Sequence, residues 1–206
     1  MVLLIGVAIG LLGGLVRATL QKIPYQPYAL RLVWLVVIAA AGQWLAFSFP
    51  PTRSNLPDVA IRLLLVLSQL VLLAFVWLNR DVPGLKLLGF GLALNLLVIV
   101  LNGGLMPISP ETTQWLLPEL PPESLQTGAR VGFSKDILLP RGEARLWFLS
   151  DMLRSPSGWS YRVAFSIGDV LVALGAFYLF WSMGSREHTG LLQEKNHVTN
   201  ILPPFE

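Results

Sequence analysis

The sequence predicts an all-α membrane protein of five transmembrane helices, with a long extracytoplasmic loop between helices four and five. Three observations predict it. Charged residues make up 13% of the 206, about half the roughly 25% of a soluble domain. Hydrophobic residues make up 54% and the mean hydropathy is +0.63, more apolar character than a water-facing fold accommodates. Finally, the apolar residues gather into stretches close to the roughly 17–25 residues that a bilayer-spanning helix needs.

Five stretches qualify. Val2–Leu20 is apolar as far as Val16, and Arg17 can snorkel to the headgroups. No basic segment precedes it and no A-x-A site follows, so it reads as a retained span and not a cleaved signal. Leu32–Phe49 is the second span, ended by Pro50-Pro51. Val59–Leu78 is the third, Leu85–Leu101 the fourth and Val163–Met183 the fifth. The chain then divides into a four-helix membrane segment (1–101), an extracytoplasmic Pro-rich loop with an interfacial segment (102–162), the fifth span (163–183) and a cytoplasmic tail (184–206).

Basic residues in short connections set the orientation. Arg17, Lys22, Arg31, Arg80 and Lys86, with Arg186 and Lys195 of the tail, fall on one side; the short loop opposite holds only Arg53 and Arg62. The expected location is the inner (plasma) membrane, with the N-terminus outside and the C-terminus in the cytoplasm. The loop Asn102–Arg162 carries Pro107, Pro110, Pro118, Pro121, Pro122, Pro140 and Pro156. Loops beyond about 12–15 residues are usually functional or disordered. Trp115, Trp147 and Trp159 place parts of it at the membrane interface, and Ala144–Leu153 is expected to form a short helix on the outer leaflet. There is no internal repeat and no second soluble domain.

Composition excludes several functions. Without cysteine there is no disulfide framework, thiolate metal site or cysteine nucleophile. His188 and His197 both lie in the tail, so no span offers an imidazole to haem, and no loop histidine completes a Ser–His–Asp triad. The net charge is +3, but the basic residues are scattered singly, unlike a nucleic-acid surface. No glycine-rich phosphate cradle is present for a nucleotide. No metal and no cofactor is expected; the expected partners are the lipid bilayer and a membrane protein.

Gly6, Gly10 and Gly14 form a stripe in the first span, with Gly13 beside it. Small residues at that spacing let backbones approach closely, either within the bundle or against another subunit. Gln43, Ser68, Gln69, Asn95 and Asp169 lie inside spans, where polar groups turn toward the bundle interior and find partners. Gln43 and Gln69 are expected to hydrogen-bond between helices, and Asn95 and Asn102, two turns apart, to share one face. Asp169 stands about 9 Å down the fifth span at about 1.5 Å per residue, where a carboxylate costs about 2.5 kcal/mol or more. It serves either as a general acid or base or as a packing group. Asp151 precedes it by eighteen residues. If that segment folds back over the fifth span, the two carboxyls meet, share a proton and activate water for peptide cleavage.

Two resemblances attach to these residues. Asn102-Gly103-Gly104-Leu105-Met106-Pro107-Ile108-Ser109, Phe148-Leu149-Ser150-Asp151, and Phe165-Ser166-Ile167-Gly168-Asp169 continuing to Gly175 resemble a family of small bacterial membrane proteins with no assigned function, as does Gly13-Gly14-Leu15-Val16-Arg17. Over about thirty residues the chain also resembles lipoprotein signal peptidases, which are membrane aspartyl proteases. That resemblance implies catalytic roles for Asp151 and Asp169, with Asn102 matching the Asn that ends the preceding span; Ser166 stands where that family has Asn. Two functions therefore remain open. One is a non-catalytic accessory or scaffold subunit of a larger bacterial membrane complex, meeting its partner through Gly6, Gly10 and Gly14 and capping it with the loop. The other is a membrane aspartyl hydrolase built on Asp151 and Asp169. Lipid binding and a minor transport role stand behind both.

Overall fold

The computed structural model describes residues 1–156, 158–159 and 161–185; His188, His197 and the remaining tail residues lie outside the described part. The fold is mostly helical. Its helices are α1 (Val2–Gln21), α2 (Trp34–Phe47), α3 (Pro50–Arg53), α4 (Asp58–Leu78), α5 (Leu85–Leu101), α6 (Pro110–Leu116) and α7 (Ile167–Ser182). Four short strands complete it: β1 (Met106–Ile108), β2 (Asp136–Leu138), β3 (Leu153–Arg154) and β4 (Ala164–Phe165). Helices α1 and α4 are long and apolar enough to cross a membrane; α2, α5 and α7 are shorter apolar helices.

Two expected spans are shorter than their hydropathy suggests. Helix α2 starts at Trp34 because Leu32 takes a left-handed conformation at φ 51°, which no helix interior tolerates. Helix α7 starts at Ile167 because Ser166 caps it. The Ser166 Oγ accepts the Asp169 N–H at 3.0 Å, and Asp169 Oδ2 accepts the Ser166 N–H at 3.1 Å, a reciprocal capping box. The residues before it are extended, with β4 pairing antiparallel to β3. Asp169 therefore stands in the first turn of α7, not six residues down a longer helix. The expected helix over Ala144–Leu153 is likewise absent. Leu146, at φ 53°, precedes a single 3-10 turn at Trp147–Leu149, and the chain then enters β3.

The long helices stand in a row, α2–α4–α5–α7–α1, each packed on the next. Helices α5 and α7 run antiparallel, Gly84 meeting Gly175 and Gly91 meeting Gly168, whereas α1 and α7 run parallel, Gly6 meeting Ala173 and Gly14 meeting Phe180. The end members, α1 and α2, share no extended packing. Glycine sets the closeness of the row around α7. A Cβ at Gly10 would sit 2.5 Å from the carbonyl oxygen of Phe177, and one at Gly91 2.5 Å from that of Gly168. Gly6 meets the backbone of Ala173, and Gly14 that of Phe180. The stripe on α1 is thus filled by α7 of the same chain.

Each end of the row is tied across. At one end, the segment after α1 straps α7 and α4: Tyr25 Oη donates to the Phe180 carbonyl at 3.0 Å and Tyr28 Oη to Ser182 Oγ at 3.1 Å. There Asn79 accepts the Arg31 N–H at 2.7 Å and donates to the Arg31 carbonyl at 3.0 Å. At the other end α5 stops at Asn102, and Gly103 and Gly104 reverse the chain at φ 79° and 92°, conformations that favour glycine. Strand β1 follows, pairing parallel with β2. Its Met106 packs with Ile61, Leu65, Val98, Ile99 and Leu105 in one core, while Phe75, Val76, Leu85, Leu92, Val172 and Leu179 form a second.

Gly10→Val drives a branched side chain into the α7 backbone and is expected to destabilise the fold by about 1–3 kcal/mol, the range for overpacking. Gly42, whose Cβ position meets nothing within 4 Å, is the control: Gly42→Ala in the interior of α2 is expected to leave stability unchanged or raise it by up to about 1 kcal/mol. Thermal unfolding of the purified variants in detergent compares the two.

A candidate polar site at the loop end

Strand β1 places a charged pair over the end of α5. The Met106 N–H donates to the Lys135 carbonyl at 2.9 Å, and the Asp151 N–H donates to the Pro107 carbonyl at 3.2 Å. Held on neighbouring residues of one strand, the two side chains meet: Lys135 Nζ lies 2.5 Å from Asp151 Oδ2 and 3.4 Å from Asp136 Oδ1. Asp151 is 3% exposed, and its other oxygen, Oδ1, is buried without a hydrogen-bond partner.

One ammonium cannot satisfy the carboxylates around it. Burial, reinforced by the nearby charges of Asp136 and Asp169, pushes the Asp151 carboxyl up to about 7 against the pull of Lys135. For Lys135 burial works against the charge, but Asp151, Asp136 and Asp169 outweigh it and hold the ammonium above the ordinary lysine range. The lysine stays charged, and burial makes its Asp151 partner bind a proton more readily than an ordinary carboxyl.

A second polar group joins α5 to the start of α7. Asn95 Nδ2 donates to Asp169 Oδ1 at 2.9 Å, while Ser166 Oγ donates to Asn95 Oδ1 at 2.8 Å. Ser166 is fully buried and Asn95 nearly so. Gly168 makes this possible, because any Cβ there would strike the Asn95 amide. With the capping box, each of the three side chains bonds to another of the set.

The two groups face one cavity of about 280 Å³. Gln43 of α2, Gln69 of α4, Asn95 of α5, Lys135 of the loop and Asp169 of α7 line it, among apolar walls that include Leu65, Leu72, Leu92, Ile99 and Val172. Met1, with Val2 and Leu3 of α1, lines another side, and Met106, Val163, Ala164 and Phe165 complete it. Gln43 Nε2 donates to Ser68 Oγ at 2.9 Å, and Gln69 Oε1 is buried without a partner.

The polar residues singled out from sequence thus converge: Gln43, Gln69, Asn95 and Asp169 line the cavity, and Ser166 hydrogen-bonds to Asn95 behind it. Others do not join them. Asn102 caps α5 and anchors the loop instead, its amide donating to the Arg145 carbonyl at 2.9 Å and accepting the Arg145 N–H at 2.8 Å. Asp151 sits behind Lys135 and contributes nothing to the lining, while Gly6, Gly10 and Gly14 lie along the α1–α7 contact. Sequence reasoning missed Lys135, whose role depends on strand pairing that no periodicity announces. It also missed the cap, although Ser166-x-x-Asp169 carries the capping-box spacing. Among the described residues no group of three or more His, Asp or Glu is placed to hold a metal ion.

Fold and site together define a helical-row protein with a polar cavity beneath a folded cap. The chain belongs to DUF5317, a family of unknown function, whose model matches residues 27–181. Of the segments that carried the resemblance to an uncharacterised family, those at 102–109, 148–151 and 165–175 fall inside that match and the one at 13–17 lies outside it. An uncharacterised protein of Thermotoga maritima is 32% identical over 111 residues, covering 54% of this chain and 58% of the relative. The chain therefore spans less than two thirds of that relative's length. No solved structure matches it.

The Asp151 carboxyl keeps its proton to about 7 in the fold, against an ordinary value of 3.8. Between these values the folded state binds the more protons, so this contribution is complete below about 3.8 and is lost as pH rises through about 7. The melting temperature in detergent is expected to fall between about pH 4 and about pH 7, and Asp151→Asn to flatten that slope.

Proposed function

We propose that the chain is a multi-pass protein of the plasma membrane that works by binding and not by catalysis. Its N-terminus and the cap formed by residues 102–166 face outward, and the α4–α5 turn faces the cytoplasm. Large apolar side chains exposed along the row support the membrane reading, among them Leu4 and Ile9 of α1, Val37 of α2, Leu63 and Leu67 of α4 and Phe90 of α5. Soluble monomers rarely leave an apolar face of that extent uncovered, whereas acyl chains solvate it. Helix α2, with 14 residues, is about 21 Å long; local thinning and flanking residues accommodate such a mismatch. The short-loop basic residues Arg17, Lys22, Arg31, Arg80 and Lys86 give the orientation.

The binding reading rests on one observation: both candidate catalytic carboxylates already have partners. Asp169 gives one oxygen to Asn95 and the other to its own helix cap, and Asp151 is locked to Lys135 outside the cavity lining. What remains is a polar cavity in an apolar wall between two ends of a row that do not pack on each other, suited to a ligand arriving from the plane of the bilayer. An accessory role in a larger complex is compatible with this. A partner would meet the cap and the outward helix faces, because α7 fills the glycine stripe. The aspartyl-hydrolase reading keeps one supporting observation, the Asp151 carboxyl held protonated near neutrality with an unpartnered oxygen.

The native chain has no cysteine, so single-cysteine labelling tests this reading cleanly. Glu123→Cys is expected to react with an impermeant maleimide in intact cells, and Asp81→Cys only after permeabilisation. Gln69→Cys is expected to be shielded from a small maleimide in native membranes and to gain reactivity at least several-fold after delipidation. The reverse sidedness would overturn the orientation, and equal Gln69→Cys reactivity in both states would overturn the binding reading.

A further inference from the structure

Opposite charges lining one low-dielectric cavity attract each other strongly. Lys135 and Asp169 line the same cavity, and Asp169 contributes to the electrostatics of Lys135, yet no ion pair forms between them within 4.0 Å. Each is held back by its own anchor. Asp151 and the β1 contact fix Lys135, while Asn95 and the α7 cap fix Asp169. The fold therefore maintains a charge-lined gap with a cation on one side and an anion on the other.

The balance of groups around the gap defines what fits. Asp151 and Asp136 already lie within 4 Å of the Lys135 ammonium and Asp169 lines the same cavity, so a ligand that is purely anionic meets a lysine already paired and an acidic side chain opposite. A purely cationic one leaves the lysine without a complement. A zwitterion satisfies both sides. The acceptors on the anionic side are the Asp169 carboxylate and the unpartnered Gln69 Oε1, which call for a cation that donates hydrogen bonds. Quaternary ammonium groups use aromatic cages instead, and Phe165 is the sole aromatic residue of the lining. The cavity volume of about 280 Å³ is at the lower edge of ligand pockets, which run to about 1,000 Å³. It suits a headgroup whose apolar part stays outside, and the break between α1 and α2 leaves a side toward the bilayer.

We infer that the cavity is a headgroup site for a zwitterionic phospholipid with a primary ammonium, of the phosphoethanolamine type. The phosphate lies beside Lys135, and the ammonium beside Asp169 and Gln69. The inference rests on the binding reading and specifies its ligand.

The test uses the full chain, purified in mild detergent and offered equal amounts of phosphatidylethanolamine, phosphatidylcholine and phosphatidylglycerol, with retained lipid read by native mass spectrometry. Retention of one phosphatidylethanolamine, preferred at least about ten-fold over the other two, is expected. Asp169→Asn is expected to bring that preference close to unity. Gln69→Leu leaves the cap and the ion pair untouched, and is expected to weaken the preference several-fold without lowering the melting temperature. Equal retention of the three lipids, a preference for phosphatidylglycerol, or an unchanged preference in both variants would overturn the inference. Free O-phosphoethanolamine competing as well as the lipid would overturn the lipid assignment. Shielding of Gln69→Cys in membranes without any headgroup preference would remove this inference and leave the binding reading in place; loss of the shielding removes both.

Discussion

Helix α7 lies between α1 and α5 at backbone contact, and glycine stands at the points where the backbones meet. Gly6, Gly10 and Gly14 of α1 admit it from one side and Gly91 of α5 from the other, where Gly168 of α7 itself faces Asn95 and Gly91. On the membrane reading proposed above, the hydrophobic effect does not drive the helices together, so packing distance and interhelical hydrogen bonds decide. The rest of the site depends on this approach. With α7 further from α5, the Asn95 amide would not reach Ser166 and Asp169, the first turn of α7 would lose the partner that fixes it, and the wall of the cavity would open.

The cap continues the same logic with backbone hydrogen bonds. Two consecutive residues of β1, Met106 and Pro107, hold Lys135 on one side and Asp151 on the other, so a three-residue strand sets the position of an ion pair with a buried carboxylate and a partly exposed lysine. Buried ion pairs seldom add much stability beyond what a well-packed apolar replacement would give, and their best-attested use is to fix one arrangement. Here the arrangement is asymmetric, with one lysine among three carboxylates. That imbalance keeps Lys135 charged beside the cavity, while Asp169 is held by Asn95 and its own helix cap and not by the lysine.

Hydropathy revealed the helices but not their ends. Leu85–Leu101 was legible to the residue, since a glycine turn and the Asn102-Gly103-Gly104 reversal bound it. The start of α7 was not, because Val163, Ala164 and Phe165 are as apolar as the helix they precede, and only the Ser166–Asp169 spacing distinguishes cap from span. Ala144–Leu153 reads as helical by composition, yet left-handed Leu146 and the pairing of β3 with β4 give it another form. The polar residues were more legible than the boundaries. An unpaired amide or carboxylate in apolar surroundings is costly enough that Gln43, Gln69, Asn95 and Asp169 could be assigned to the interior without coordinates. Which partners they take was hidden, as was Lys135, because those contacts join residues far apart in the chain through pairing that leaves no local pattern.

The claim on which the account turns is that Asn95 and Asp169 form one interlocked unit joining α5 to α7, and a residue exchange tests it most directly. Asn95→Asp alone sets two carboxylates against each other, whereas Asn95→Asp with Asp169→Asn restores an amide facing a carboxylate and preserves every hydrogen bond of the group. Unfolding of the parent, both single variants and the double variant gives the coupling energy. The account predicts a marked loss for Asn95→Asp, recovered in most part by the exchange, with a coupling of about 1–3 kcal/mol. Additive losses, with the double variant no more stable than Asn95→Asp, would contradict it.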